Sequence, residues 1–216
     1  MPTIYYAYYT PISDSISAIS SQEHNLGHTL LLQGLQDLFQ LSFSPEELEQ
    51  ALKTDANGKP YLPDHPEICF NITHCDQLAA CVFHDRPIGI DAEFPGYYPD
   101  VLVDRALSES EKDFLQSHNA DLSENREWFY RLWTLKEAYV KKYGIGVDTD
   151  LTDFSFTFSN VQGTLSVSCS DPAILCYQTN LNHGHILSVC YEGPEPSVKL
   201  VSCSQQHVPP REQRFL

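Results

Sequence analysis

The 216 residues include 42% hydrophobic and 12% aromatic residues, enough for one domain or for two small lobes sharing a core. Thirteen Lys and Arg against 29 Asp and Glu give a formal charge of -16, which excludes nucleic acid and anionic membrane as main partners. Any phosphate ligand then needs a local basic cluster or a metal. Met1 to Ile12 lacks a basic segment leading into a long apolar one, and no later run reaches membrane-spanning length, so a soluble cytoplasmic protein is expected. Seven cysteines without a CxxC pair fit a reducing compartment. Cys69, Cys75 and Cys81, with His74 among them, lack the ligand spacing of a zinc site.

In chain order, Ile4 to Thr10 reads as a tyrosine-rich strand. About Glu23 to Phe39 reads as a helix with Leu26, Leu30, Leu31, Leu35 and Leu38 on one face. Ser44-Pro45-Glu46-Glu47 supplies an N-cap, a first-turn proline and a capping-box glutamate for a short helix to Leu52. Asp55 to Pro60 is a turn. Three strand-length runs follow, Ile68 to Thr73, Leu78 to His84 and Ile88 to Glu93, and their close spacing predicts an antiparallel meander. In the third run Ile88, Ile90 and Ala92 face one way and Gly89, Asp91 and Glu93 the other. The two acids lie about 6.6 Å apart along the strand, close enough to share an ion, although exposed edge charges explain a D-x-E pair as well.

After a Pro/Gly/Tyr loop comes a helix candidate, then a second capping box, Ser108 to Glu111, opening another short helix. A long helix from about Glu127 to Tyr143 carries one apolar stripe, Trp128, Leu132, Leu135, Tyr139 and Tyr143. Its opposite face gathers Tyr130, Trp133, Glu137, Val140 and Lys141. A helix apolar on both sides is covered on both sides, which places it where two layers or lobes meet. Glu137 and Lys141 then line a cleft, or else form a plain surface i,i+4 pair. Gly144-Ile-Gly146 ends this helix. Four short strand candidates come next, Phe154 to Phe158, Thr164 to Cys169, Ile174 to Asn180 and Ile186 to Tyr191, before a proline-rich segment from Gly193 to Leu216 that reads as a loosely held tail.

Gly58-Lys59-Pro60, Phe70-Asn71-Ile72-Thr73-His74, Gly89-Ile90-Asp91-Ala92-Glu93 and Trp133-x-x-Lys136-Glu137-x-x-x-Lys141 stand in this order along the chain. Together they resemble the 4′-phosphopantetheinyl transferases, specifically the larger surfactin-synthetase type with two similar lobes in one chain, over about Gly27 to Gly146. The resemblance implies an α+β fold of two similar lobes in a pseudo-twofold arrangement, each a small antiparallel sheet with packed helices. The lobes are expected at 1–87 and 88–192, with a tail at 193–216. It implies transfer of 4′-phosphopantetheine from coenzyme A to a serine of an acyl or peptidyl carrier protein, releasing adenosine 3′,5′-bisphosphate. A monomer is expected. The alternative is a catalytically weakened relative that only binds coenzyme A or a carrier.

By the same resemblance Asp91, Glu93 and Glu137 are the ligands of Mg²⁺, a hard cation suited to oxygen donors and substrate phosphates. Glu137 is the candidate base for the serine hydroxyl, directly or through a metal-bound water, and Lys141 the group that offsets phosphate charge. Thr73 and His74 match the pair that contacts the 3′-phosphate. Lys59, with Pro60, matches a lysine near the adenine end, or is an exposed turn lysine. Lys136 serves the phosphates or stays solvated. Glu111 stands at the position of a further acid near the metal, which its capping box explains equally well. One departure matters: the family's helical arginine is replaced by His28, and the residues before it, usually basic, are Gln22, Glu23 and His24. A ligand that is largely neutral at pH 7 predicts weaker coenzyme A binding there. Carrier recognition would use a local patch such as Arg105, Arg126 and Arg131 with apolar contacts.

Overall fold

Each half of the chain starts with a strand, runs through a long helix and returns through two more strands of the same sheet. In the computed structural model, which describes residues 1–118, 120–145, 149–161, 163–193 and 199–203, the first half comprises β1 (Thr3–Tyr8), α1 (Ile16–Phe39), α2 (Pro45–Ala51), the two-residue strands β2 (Lys53–Thr54) and β3 (Pro60–Tyr61), β4 (Cys69–Cys75) and β5 (Leu78–His84). The second comprises β6 (Ile88–Glu93), α3 (Asp100–Ala106), α4 (Glu109–Ser117), α5 (Leu122–Tyr143), β7 (Phe156–Val161), β8 (Thr164–Cys169), β9 (Leu175–Asn180) and β10 (Ile186–Tyr191). The sheets are ordered β1-β5-β4 and β6-β10-β9, with all these pairs antiparallel. In both, the first strand pairs with the third and the third with the second, so the two lobes repeat one topology.

Alternation along the strands builds four layers. One face of the first sheet (Tyr5, Ala7, Ala79, Cys81, Phe83) packs on Leu26, Leu30, Leu31 and Leu35 of α1. Its other face (Ile4, Leu78, Ala80, Val82) meets Ile88, Ile90, Ala92, Leu187 and Val189 of the second sheet. The outer side of the second sheet lies under α5, where Thr134 Oγ1 and Ser188 Oγ are 2.7 Å apart and the Cys190 thiol reaches Leu135 O. Beyond α5, Phe154 stacks on Tyr139 and Phe158 packs against Trp128.

Several expectations are corrected by this arrangement. The three-strand meander breaks after β5, because β1 already holds the other edge of β5 and β6 must pair with β10. The long helix is covered on both sides, but by the second sheet and by the β7–β8 region of its own lobe; the lobes meet sheet against sheet. Helix α1 begins at Ile16 rather than near Glu23, because its first turns are serine-rich and show no apolar period, and Leu38 is exposed. Helix α5 begins at Leu122, where Asp121 accepts from Ser123 N and Glu124 N at 2.8 Å each. Within the stretch expected as a tail, β11 (Lys199–Ser202) adds to β1 in parallel. Gly146 and residues 194–198 and 204–216 lie outside the described residues. Among the described residues no helix is long and apolar enough to cross a membrane, and every cysteine is a free thiol.

Candidate active site

The site forms where α5 lies directly on β6. Gly89 permits this approach: a Cβ there would stand 2.0 Å from Ala138 O and 2.3 Å from Lys142 N, both backbone atoms that no rotamer change can move. Gly89→Ala is therefore expected to push α5 off the strand at a cost of about 1–3 kcal/mol, read by urea unfolding; unchanged stability would refute this packing.

The lift of α5 onto Gly89 brings Lys141 to Asp91, one pleat along. Lys141 Nζ donates to Asp91 Oδ1 at 2.5 Å, and Thr73 Oγ1 on β4 donates to the same oxygen at 3.2 Å. Both β4 and β6 are edge strands of their sheets. They meet through side chains instead of a backbone ladder: Asn71 Oδ1 accepts from Ile90 N at 3.0 Å, two residues before the Thr73 contact. Asp91 is 4% exposed, and its other oxygen, Oδ2, has no hydrogen-bond partner.

Burial raises three carboxylates here, and the charge of Asp91 raises the other two further. Burial, then the charges of Asp91 and Glu137, push Glu93 up to about 7, against the pull of Lys141. Burial and Asp91 likewise raise Glu137, again opposed by Lys141. Burial raises Asp91, with Lys141 opposing it most strongly. Burial would lower the Lys141 ammonium, yet Asp91, Glu137 and Glu93 together hold it above the usual lysine range. A hard divalent cation fits this set by donor chemistry: all donors are oxygens, their mutual repulsion calls for a positive charge, and a buried carboxylate oxygen is unpartnered. Among the described residues no three Asp, Glu, His or Cys side chains are near enough to close a metal cage by themselves. A pocket of about 220 Å³ opens beside Glu137, walled by Leu102, Arg105, Trp133, Val140 and Leu151. A larger groove of about 830 Å³ between β8 and β9 contains none of these acids.

The other expected site residues are placed differently. Thr73 and His74 are neighbours on a strand and point to opposite faces: Thr73 is buried under Asp91, while exposed His74 faces α1, with Nδ1 3.3 Å from Glu23 Oε2. Tyr9 OH donates to the other Glu23 oxygen at 2.5 Å. His28 packs against His24, one turn before it on α1, with ring centres 4.1 Å apart and the planes tilted by 47°. Pro60 pairs with Thr54 in the β2–β3 hairpin. Lys59 is not an exposed turn residue; its ammonium bonds three backbone carbonyls, those of Ile88, Lys141 and Lys142.

Lys136 and Glu111 are also corrected. They form an ion pair at 2.8 Å on the far side of α5, 0% and 1% exposed. Lys136 Nζ also donates to Leu151 O and Phe154 O, and Glu111 accepts from Ser108 N and Phe156 N at 2.8 Å each. Neither reaches the cluster of acids. Arg131 is engaged by Glu127, Gln178 and Asn180, whereas Arg105 lines the pocket beside Glu137. The bridge that Asn71 and Thr73 form between the sheet edges has no counterpart among the sequence expectations. Gly89 was the available signal, since a glycine on the same strand face as two acids marks a close backbone approach.

Residues 87–190 match the model of the 4′-phosphopantetheinyl transferase superfamily. The 4′-phosphopantetheinyl transferase Sfp of Bacillus subtilis (strain 168) is 30% identical over 172 residues, covering 79% of this chain and 74% of that protein. A second 4′-phosphopantetheinyl transferase of Bacillus subtilis is 32% identical over 142 residues, 64% of this chain and 61% of that one. The 4′-phosphopantetheinyl transferase psf-1 of Bacillus pumilus is 26% identical over 86% of this chain and 78% of its own length.

Proposed function

The chain belongs to the 4′-phosphopantetheinyl transferase superfamily, and from that premise we propose that it transfers 4′-phosphopantetheine from coenzyme A to a serine of an acyl or peptidyl carrier protein. The observation that carries this reading is the meeting of Asp91, Glu93, Glu137 and Lys141 where α5 rests on Gly89. In the reaction the serine Oγ attacks the phosphorus that bears pantetheine and forms a new P–O bond. The pyrophosphate P–O bond breaks, and adenosine 3′,5′-bisphosphate leaves with that electron pair.

Glu137 takes the serine proton onto a carboxylate oxygen. Its raised affinity for protons suits it to accept one near neutral pH, where a serine hydroxyl alone is a poor nucleophile. Asp91, Glu93 and Glu137 would hold Mg²⁺, which when bound supplies positive charge to the pyrophosphate and the departing group. Lys141 supplies a second positive charge beside the reacting phosphate, and Asp91 and Thr73 fix where its ammonium stands. We assign His74 on β4 and His28 on α1 to the nucleotide's 3′-phosphate. The pocket beside Glu137, with Arg105 at its wall, gives the carrier its approach. We place the protein in the cytoplasm as a monomer, where coenzyme A and carrier proteins meet.

The test mixes the protein with coenzyme A, Mg²⁺ and a panel of apo-carrier proteins and follows mass. A gain on the carrier serine equal to one phosphopantetheine group is expected with at least one carrier. Binding of coenzyme A without any adduct across the panel would replace the transferase reading by that of a coenzyme A-binding relative.

A further inference from the structure

Lys59 lies on the hairpin of the first lobe, yet every hydrogen bond of its ammonium goes to the second. Nζ donates to Ile88 O at 3.1 Å, Lys141 O at 2.6 Å and Lys142 O at 3.0 Å. Three N–H groups meet three carbonyls, so a protonated lysine is fully satisfied there. Ile88 opens the strand that carries Asp91, and Lys141 is the residue whose side chain pairs with Asp91. One ammonium thus ties the backbones of both partners.

The surrounding turn is built to hold that ammonium. Asp55 Oδ1 accepts from Asn57 N and Lys59 N at 2.9 Å each, and Asp55 N donates to Lys59 O at 3.0 Å. Asn57 Nδ2 donates to Gly144 O, the carbonyl just past the end of α5. Gly144 itself turns left-handed at φ 62°, and a Cβ there would lie 3.1 Å from Asp55 Oδ2. The last carbonyls of a helix lack intrahelical donors and carry partial negative charge, so a cation placed on them fixes the final turn.

We infer that Lys59 is a positioning residue that locks the last turn of α5 onto the start of β6, and so sets the Lys141–Asp91 contact, instead of binding the nucleotide. This rests on the proposed transferase reading only for its effect on rate; the clamp itself is a property of the ligand-free protein. Its charge also has a limit. Burial lowers Lys59 to about 8, with Cys69 on β4 and Asp55 in the turn pulling it up and Lys142 on α5 pushing it down. A lysine lowered by burial is harder to enclose charged than neutral, so the clamp is not opened by titration through that value; the geometry of the three carbonyls carries it. The unfolded chain still holds the proton between there and the ordinary lysine range, so the contribution of this group to stability rises with pH over the same interval.

Amide hydrogen exchange of the full, ligand-free chain tests the clamp directly. In Lys59→Met, exchange in the last turn of α5 is expected to rise about tenfold or more, with α1 and the first turns of α5 unchanged. In the wild type, protection of that turn should not fall as pH rises through about 8, after correction for intrinsic exchange, because opening returns the amine to the ordinary lysine range. In the transfer assay Lys59→Met should lower kcat, and should lower it no further when added to Lys141→Ala. Unchanged exchange in the ligand-free protein, with a raised KM for coenzyme A and independent effects of the two substitutions, would overturn the inference in favour of a nucleotide contact. Exchange rising throughout the chain would overturn it in favour of a general loss of stability. A wild-type protein without transferase activity would sink the functional reading and leave the exchange result standing.

Discussion

Glu137→Gln is expected to lower the rate of transfer about 100- to 10,000-fold, the usual contribution of a positioned general base, while coenzyme A still binds. Glutamine keeps the shape of the side chain and removes its ability to accept the serine proton. It also removes one of three mutually repelling carboxylates, so the ligand-free fold should not be weakened. The pH dependence follows from the same geometry. Burial and Asp91 hold the Glu137 carboxyl above the ordinary glutamate range, so wild-type activity should fall toward acid pH, and the variant should keep only the part of that fall that Glu93 and Asp91 contribute. Steady-state rates across pH, with calorimetric binding of coenzyme A beside them, make the measurement. A Glu137→Gln protein that transfers at the wild-type rate would remove Glu137 from the base role.

Lys136→Met should act on stability instead. Lys136 and Glu111 are both fully enclosed, and removing one partner leaves the other charge buried and uncompensated, a loss of about 3–5 kcal/mol. That is a large fraction of the roughly 5–15 kcal/mol that holds a typical domain together. The substitution also frees Leu151 O and Phe154 O, which the ammonium ties to α5, and it removes the cation above the Phe154 ring at 4.6 Å. Burial lowers the Lys136 ammonium while Glu111 raises it, so the carboxylate is what keeps the charge in place. Adding Glu111→Gln should recover part of the loss, because the orphaned charge is then gone. Urea unfolding of the single and double variants checks this. A Lys136→Met protein of normal stability with weakened coenzyme A binding would return Lys136 to the phosphates.

These two residues are neighbours on one helix, and they divide what was legible in the sequence from what was not. Their order among the G-K-P, N-I-T-H and G-I-D-A-E motifs identified the family, and alternation along β6 alone puts Gly89, Asp91 and Glu93 on one side. Capping boxes at Ser44 and Ser108 marked two of the three short helices, α2 and α4. These are local properties: hydrophobic period, strand alternation and turn chemistry depend on residues a few positions apart.

Which face of α5 opens on the acids, however, is not a local property. The helix is apolar on both sides because both sides are covered, so period alone cannot separate Glu137, beside the cluster of acids, from Lys136, sealed under Phe154. The same holds for Lys59, whose three acceptors lie about 30 to 80 positions along the chain. It holds again for β6, whose partner was decided by β1 having already taken the free edge of β5. Sequence by itself determined most of the elements, the family and the set of charged groups. Tertiary structure decided which of those charges meet, because burial and ion pairing are settled by what packs over a side chain from elsewhere in the fold.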